Sequence, residues 1–283
     1  MRVAIIGLGM IGGSIALALK KSKVKGLQVI GIPRREETLK EALKAGAIDE
    51  GTTDYKKGVA GADVVFICTP INLVLPIIRQ IAPYLKKGAI VSDVGSSKAD
   101  IVGQAEKILA KRAFFIGGHP MAGKETVKFA AAEPGLFQGR VWILTKTTKT
   151  DARALAAVSR LAGLMGARVI KIDPQTHDLV VAAVSHMPLA VAAALVNTIA
   201  GEGKKELMAK IAASGFRDTT RIASGDPLLG LDMFISNKKA VLKMISAFKK
   251  ALTNLEREII EGKREKIRAT LTKAKKLRDH IYG

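Results

Sequence analysis

Histidine, arginine and serine side chains at a few places in the chain have types and spacing that could do acid–base and carboxylate chemistry. The 283 residues include four histidines, and one of them, His119, stands in the segment GGHPMAGKE, flanked by glycines rather than set on an apolar helical face. An imidazole titrates near neutrality and can accept a proton from a hydroxyl. His119 is therefore a candidate general base, with a helix-capping loop histidine as the structural alternative. Ser96, in SDVGSSK, offers a hydroxyl that can bond both a substrate and a cofactor, or else can cap the helix that follows. His186, in SHMP, lies in a strongly apolar stretch, where a polar ring needs either a buried partner or a ligand. Downstream, GFRDTTRIASGDP places Arg217 and Arg221 four residues apart with Asp218 between them. Arginine is suited to forked binding of a carboxylate, and an internal Arg–Asp pair accounts for one of the two.

The element that must position these groups opens the chain. Val3 to Ile6 is a short apolar run, followed by Gly7, Gly9 and Gly12 at the spacing G-x-G-x-x-G, with Leu8, Met10 and Ile11 between them. Ile11, Ile15, Ala16 and Leu19 then recur at helical intervals. Strand, glycine turn and helix in that order form the setting of a dinucleotide site. Gly7 permits the turn, Gly9 lets the backbone approach a pyrophosphate, and Gly12 lets the helix pack on the strand. Ligands of such sheets bind at the carboxyl ends of the strands, where Thr69, Pro70, Asp93 and Ser96 also fall. The second strand, ending LQVIGI, runs into Pro33, Arg34 and Arg35. An acid at that point reads the ribose hydroxyl of NAD. Pro33 cannot, whereas Arg34 and Arg35 match a 2′-phosphate, so the cofactor expected is NADP in preference to NAD.

Apolar runs at Asp63–Cys68, Ala89–Ser92, Ala113–Ile116, Val141–Thr145 and Arg168–Ile172 alternate with helical patterns, among them Glu36–Lys44, Asn72–Leu85 and Ala152–Met165. A helix is expected to start near Ser97, and His119 to lie in a loop. The alternation predicts a Rossmann-type doubly wound parallel sheet over residues 1–173. From Asp173-Pro174 onward the period is helical only, which predicts an all-helical substrate and dimerisation domain over 174–283. Its long apolar helices exceed what one small domain can cover, so a homodimer is expected. The net charge is +21, but residues 174–283 hold 19 Lys and Arg against 11 Asp and Glu, so both halves are basic and neither forms a basic tail. A nucleic-acid partner is not expected. The charge reads as solvated faces and a field that attracts anions. Cys68, the single cysteine, lies in an apolar run and is expected to be buried; with no disulfide framework the chain fits a cytoplasmic setting. With a strand expected from residue 2, no signal peptide is expected. Leu179–Ala200 is apolar enough to raise a membrane span, yet His186, Pro188 and Asn197 favour a core or interface helix. No metal cluster is expected.

The segments GLGMIGGS, SDVGSSK, GGHPMAGKE, SHMP and FRDTTRIASGDP, in this order, resemble the prephenate/arogenate dehydrogenases of tyrosine biosynthesis. The resemblance implies NAD(P)-dependent oxidative decarboxylation in which His119 takes the proton of the ring hydroxyl while hydride leaves the same carbon. It further implies that Ser96 bonds the hydroxyl, Arg221 holds a carboxylate, His186 contacts the substrate side chain and Asp218 steadies the arginine. Three positions depart from the family pattern: Lys124 replaces a small hydroxyl residue, Leu189 a second histidine, and Pro33 the ribose-reading acid. Other two-domain reductases, of the imine reductase or β-hydroxyacid dehydrogenase class, would not need His119 as a base. A non-enzymatic dinucleotide- or nucleic-acid-binding protein would show steeply salt-dependent binding to DNA.

Overall fold

A computed structural model describes residues 1–110, 112–123 and 128–283; Lys124 lies outside them. Its first part runs β1 (Arg2–Ile6), α1 (Met10–Lys21), β2 (Gln28–Ile32), α2 (Glu36–Lys44), β3 (Glu50–Gly51), α3 (Tyr55–Val59), β4 (Val64–Ile67), α4 (Ile71–Ile81), β5 (Ala89–Asp93), α5 (Ala99–Leu109) and β6 (Ala113–Ile116). The strands form one parallel sheet in the order β3-β2-β1-β4-β5-β6, with Ile6 level with both Ile32 and Ile67. Period-two alternation divides each strand between two cores. Val3, Ile5, Val64 and Phe66 join one, and Ala4, Ile6, Val65 and Ile67 the other. Both faces are covered by helices, which is why the middles of these strands are apolar on both sides.

The expected single sheet is corrected beyond β6. β7 (Gly118–Pro120), β8 (Val141–Thr145) and β9 (Arg168–Ile172) make a separate three-stranded sheet, with α6 (Ala152–Leu164) crossing from β8 to β9. β8 and β9 are parallel, and β7 runs antiparallel to β8. His119 therefore sits on a strand, opposite Ile143, and not in a loop. The glycines before it make that possible. A Cβ on Gly117 would stand 2.5 Å from the Thr145 hydroxyl, and one on Gly118 would stand 2.6 Å from the Asp93 carbonyl. Only bare backbone passes between β5 and β8 closely enough to pair.

Beyond Ile172 every described element is helical: α7 (Pro174–Val181), α8 (Met187–Ala200), α9 (Lys205–Ile211), α10 (Ser214–Thr220), α11 (Pro227–Ser236), α12 (Lys238–Ile260) and α13 (Arg264–Tyr282). A π turn at Ala182–His186 joins α7 to α8. Pro188 is its physical cause, because it brings no N–H for the carbonyl four residues back. Together Pro174–Ala200 has the length and hydropathy of a membrane span, with 22 % of its apolar window buried, but its His177 and Asp178 are buried where they meet His119 and Lys98 of the sheet domain. Much of the apolar surface of the helical region is open, as at Val184, Leu228, Leu231, Ile235 and Ile260.

Candidate active site

The glycine turn is tightly built. Gly7 has φ +88°, its N–H donates to the Ile32 carbonyl at 3.0 Å, and the Cys68 N–H donates to the Ile6 carbonyl at 2.7 Å. A Cβ on Gly12 would lie 2.0 Å from the Gly7 carbonyl oxygen. Gly9 is the N-cap of α1 and supplies no side-chain cap, and the first turn holds no acid. The N–H groups there remain available to an anion, which fits the pyrophosphate of a dinucleotide. Leu8 and Met10 are buried in the core and Ile11 is packed against it, so this loop meets a cofactor through its backbone. At the end of β2, Pro33 is buried while Arg34 and Arg35 are exposed, with no ion pair among the described residues. Glu36 opens α2 and accepts from the Thr53 hydroxyl at 3.0 Å, away from the strand end. Thr69 is half-buried with an Oγ1 unpartnered among the described residues, and Pro70 is exposed as the N-cap of α4. Cys68 is half-buried rather than fully buried, set against the glycine turn and the first turn of α1. Burial still pushes its thiol pKa up.

Asp93, expected at the cofactor, has internal partners in the structure. It is fully buried, and its Oδ2 pairs with Lys98 Nζ and accepts from the Gly95 N–H at 2.9 Å. Its Oδ1 accepts from the Gly118 N–H at 3.2 Å, next to His119. Lys98 is itself fully buried, and burial lowers its pKa against the pull of Asp93. Ser96 is half-buried and makes no side-chain hydrogen bond among the described residues. Neither serine caps α5, which begins at Ala99 and has Lys98 as its N-cap. The cap comes from the helical region. Asp178 Oδ1 accepts from the Lys98 N–H at 2.7 Å and its Oδ2 from the Ala99 N–H at 2.9 Å.

His119 is half-buried, and its Nδ1 lies 2.9 Å from Nε2 of His177. His177 is fully buried, and its Nδ1 lies 2.9 Å from Asp178 Oδ1. The His119 Nε2 makes no hydrogen bond to a described residue. Burial first, then the proximity of His177, Lys98 and His186, holds the His119 pKa well below the usual histidine range. At neutral pH the ring is thus uncharged and able to accept a proton.

His186 is fully buried, and its pKa is pushed down to about 4, chiefly by burial. Asn237 Nδ2 donates to the Asp178 carbonyl at 2.8 Å and lies 3.3 Å from His186 Nδ1. With Nδ1 accepting, the neutral ring carries its proton on Nε2, and that buried atom is unpartnered among the described residues. Arg221 lies at the start of the 3-10 turn Arg221–Ser224, which packs on α8. Asp218 gives its carboxylate to Arg217 at 3.2 Å, on side chains 70 % and 76 % exposed, so the internal pair accounts for Arg217. His177, Asp178, Lys98 and Asn237 were not singled out by the sequence reading. The adjacent histidine and aspartate just after Asp173-Pro174, in so apolar a helix, were the available signal. No group of three or more potential metal ligands occurs among the described residues.

Residues 15–171 match the family model described as "Prephenate dehydrogenase, nucleotide-binding domain", and residues 173–273 match "Prephenate dehydrogenase, dimerization domain". The glycine turn precedes the first match and rests on its own geometry. The chain is 38 % identical over 266 residues to prephenate dehydrogenase of Bacillus subtilis, covering 92 % of this chain and 71 % of that one. Among solved structures it is similar to prephenate dehydrogenase of A. aeolicus in complex with hydroxyphenyl propionate and NAD+, with a TM-score of 0.92 and 36 % identity over 99 % and 98 % of the two chains. It is similar also to arogenate dehydrogenase of Synechocystis, with a TM-score of 0.89 and 34 % identity over 99 % and 100 %.

Proposed function

The chain belongs to the prephenate dehydrogenase family, and on that premise we propose that it oxidatively decarboxylates prephenate or arogenate. The observation that carries this reading is His119: an uncharged imidazole beside the carboxyl ends of the parallel strands, tied down at Nδ1 and, among the described residues, unbonded at Nε2. A bound nicotinamide dinucleotide supplies the hydride acceptor. The backbone of Gly7–Gly12 and the first turn of α1 hold its pyrophosphate. His119 Nε2 accepts the ring-hydroxyl proton as the carbon bearing that hydroxyl is oxidised. Loss of the ring carboxylate as carbon dioxide returns its electron pair to the ring, which becomes aromatic. His119 then gives the proton back to the phenolic oxygen and ends uncharged, as it began. Ser96 hydrogen-bonds the hydroxyl, Arg221 forks onto a substrate carboxylate, and the His186 Nε2–H donates to the substrate side chain. Arg217 and Asp218, paired with each other in solvent, stay outside this set.

The same reading extends to the cofactor, the domains and the assembly. NADP is preferred to NAD, supported by a buried Pro33 where an acid would read the ribose and by the exposed Arg34 and Arg35. The division falls at Asp173, whose side chain caps α7 directly after β9 ends. A second copy covers the apolar helices 174–283, and Pro174–Ala200 serves the domain contact and the dimer rather than a membrane. The test follows reduced nicotinamide by absorbance, offering prephenate and arogenate separately with each cofactor. Turnover of at least one substrate is expected. A hydrogen bond to a charged group is worth about 1.5–3 kcal/mol, so kcat/KM for NADP should exceed that for NAD by roughly 10- to 100-fold. That preference should collapse in Arg34→Ala or Arg35→Ala. Absence of turnover with either substrate defeats the reaction, and equal or NAD-favouring kcat/KM defeats the cofactor assignment.

A further inference from the structure

We propose that His177, held by Asp178, is a positioning residue that fixes the tautomer of His119 and so aims its free electron pair at the substrate. The proposal rests on the reading of His119 as the base, and it follows from donor–acceptor bookkeeping along one chain of contacts. The N–H groups of Lys98 and Ala99 can only donate, so the Asp178 carboxylate that receives both at 2.7 and 2.9 Å is an acceptor at each oxygen. The contact at 2.9 Å between Asp178 Oδ1 and His177 Nδ1 must then carry the histidine's proton on Nδ1. A singly protonated His177 presents an electron pair at Nε2, and the 2.9 Å contact there takes its proton from His119 Nδ1. His119 is left with Nε2 unprotonated, the form a general base requires.

The origin of this order lies in the meeting of two domains. Asp178 stands on α7, and the amides that orient it start α5 in the nucleotide domain. Asn237, on the opposite side, donates to the Asp178 carbonyl and thereby fixes the segment that carries His177. Lys98 is paired with Asp93 and leaves the carboxylate of Asp178 to the backbone and to His177. The base is therefore armed only while the helical domain is docked on α5.

The experiment compares His177→Leu, His177→Gln, His119→Asn and the double variant His119→Asn/His177→Leu in the full chain, with whichever of prephenate or arogenate the wild type turns over. Glutamine places a carbonyl oxygen near the former Nε2 and can accept from His119 Nδ1, whereas leucine cannot. His177→Leu should lower kcat by at least about tenfold, within the roughly 10²–10⁴-fold that general-base catalysis supplies, with KM little changed. His177→Gln should recover most of that loss, and the double variant should be no slower than His119→Asn alone. A His177→Leu enzyme within about twofold of wild type, or an additive loss in the double variant, overturns the relay while leaving His119 as the base. A fully active His119→Asn overturns the base instead. Should the leucine variant fail to fold, histidine ¹⁵N NMR of the wild type decides the matter: both His177 and His119 should be protonated on Nδ1, and a proton on Nε2 of His119 refutes the proposal.

Discussion

His119, the proposed base, stands in surroundings that disfavour its charged form. Burial is the largest cause, and His177, Lys98 and His186 add to it. Because the folded pKa lies below 6.5, the accepting form is fully present above that pH and is lost only as pH falls through the lower value. The acid limb of kcat/KM should thus lie below pH 6.5, and a midpoint at or above 6.5 contradicts the assignment. His119→Asn should keep cofactor affinity and lose about 10²–10⁴-fold in kcat, measured alongside a cofactor titration. Arg221 has a different part. If it anchors a carboxylate that does not react, Arg221→Ala should raise KM by roughly 10- to 100-fold and change kcat far less, whereas an equal fall in kcat and kcat/KM would give it a transition-state role. At this scale the sequence exposed the residues with local signatures, such as a histidine between glycines and arginines four apart. It concealed His177, Asp178 and Asn237, whose partners lie 58, 80 and 59 residues away.

Elements were legible wherever local pattern decides them. α2, β6, β8 and β9 have the bounds that apolar periodicity and capping predict. α5 does not start at its serines, because an aspartate from another domain supplies the cap. β7 reads as a loop in sequence because three residues with two small neighbours carry no period, and pairing with β8 alone makes them a strand. The joint between α1 and the glycine turn gives a sharp test of the cofactor cradle. A Cβ on Gly12 would meet a backbone oxygen at 2.0 Å, and backbone cannot swing aside. Gly103, in the middle of α5, has open space around its would-be Cβ. Gly12→Ala should therefore lower the melting temperature and abolish dinucleotide binding in a fluorescence titration. Gly103→Ala should raise stability by about 0.5–1 kcal/mol with binding unchanged. Equal behaviour of the two variants would mean that α1 is not held against the turn as described.

The whole molecule leaves one surface unaccounted for by a single copy. Leu228, Leu231 and Ile235 recur along one face of α11 and are 71, 55 and 67 % exposed, and α9, α12 and α13 present further apolar side chains. The match to a dimerisation-domain family supports the proposed occupant, a second copy of the chain. Each large aliphatic side chain gains about 1.5–3 kcal/mol on leaving water, and two-fold symmetry counts every residue twice. Ile235→Glu should then weaken the dimer by roughly 10²–10⁴-fold in Kd while the protomer keeps its circular dichroism, because the side chain is exposed in the isolated chain. Charge adds a second signature. Two chains of +21 repel each other, and an apolar interface gains nothing from that field. Raising the salt shortens the screening length to about 10 Å at 0.1 M and should tighten the dimer. Sedimentation across salt concentrations distinguishes the cases. A wild-type monomer at micromolar concentration refutes the dimer, and a dimer that dissociates as salt rises must be held by ion pairs instead of these helices.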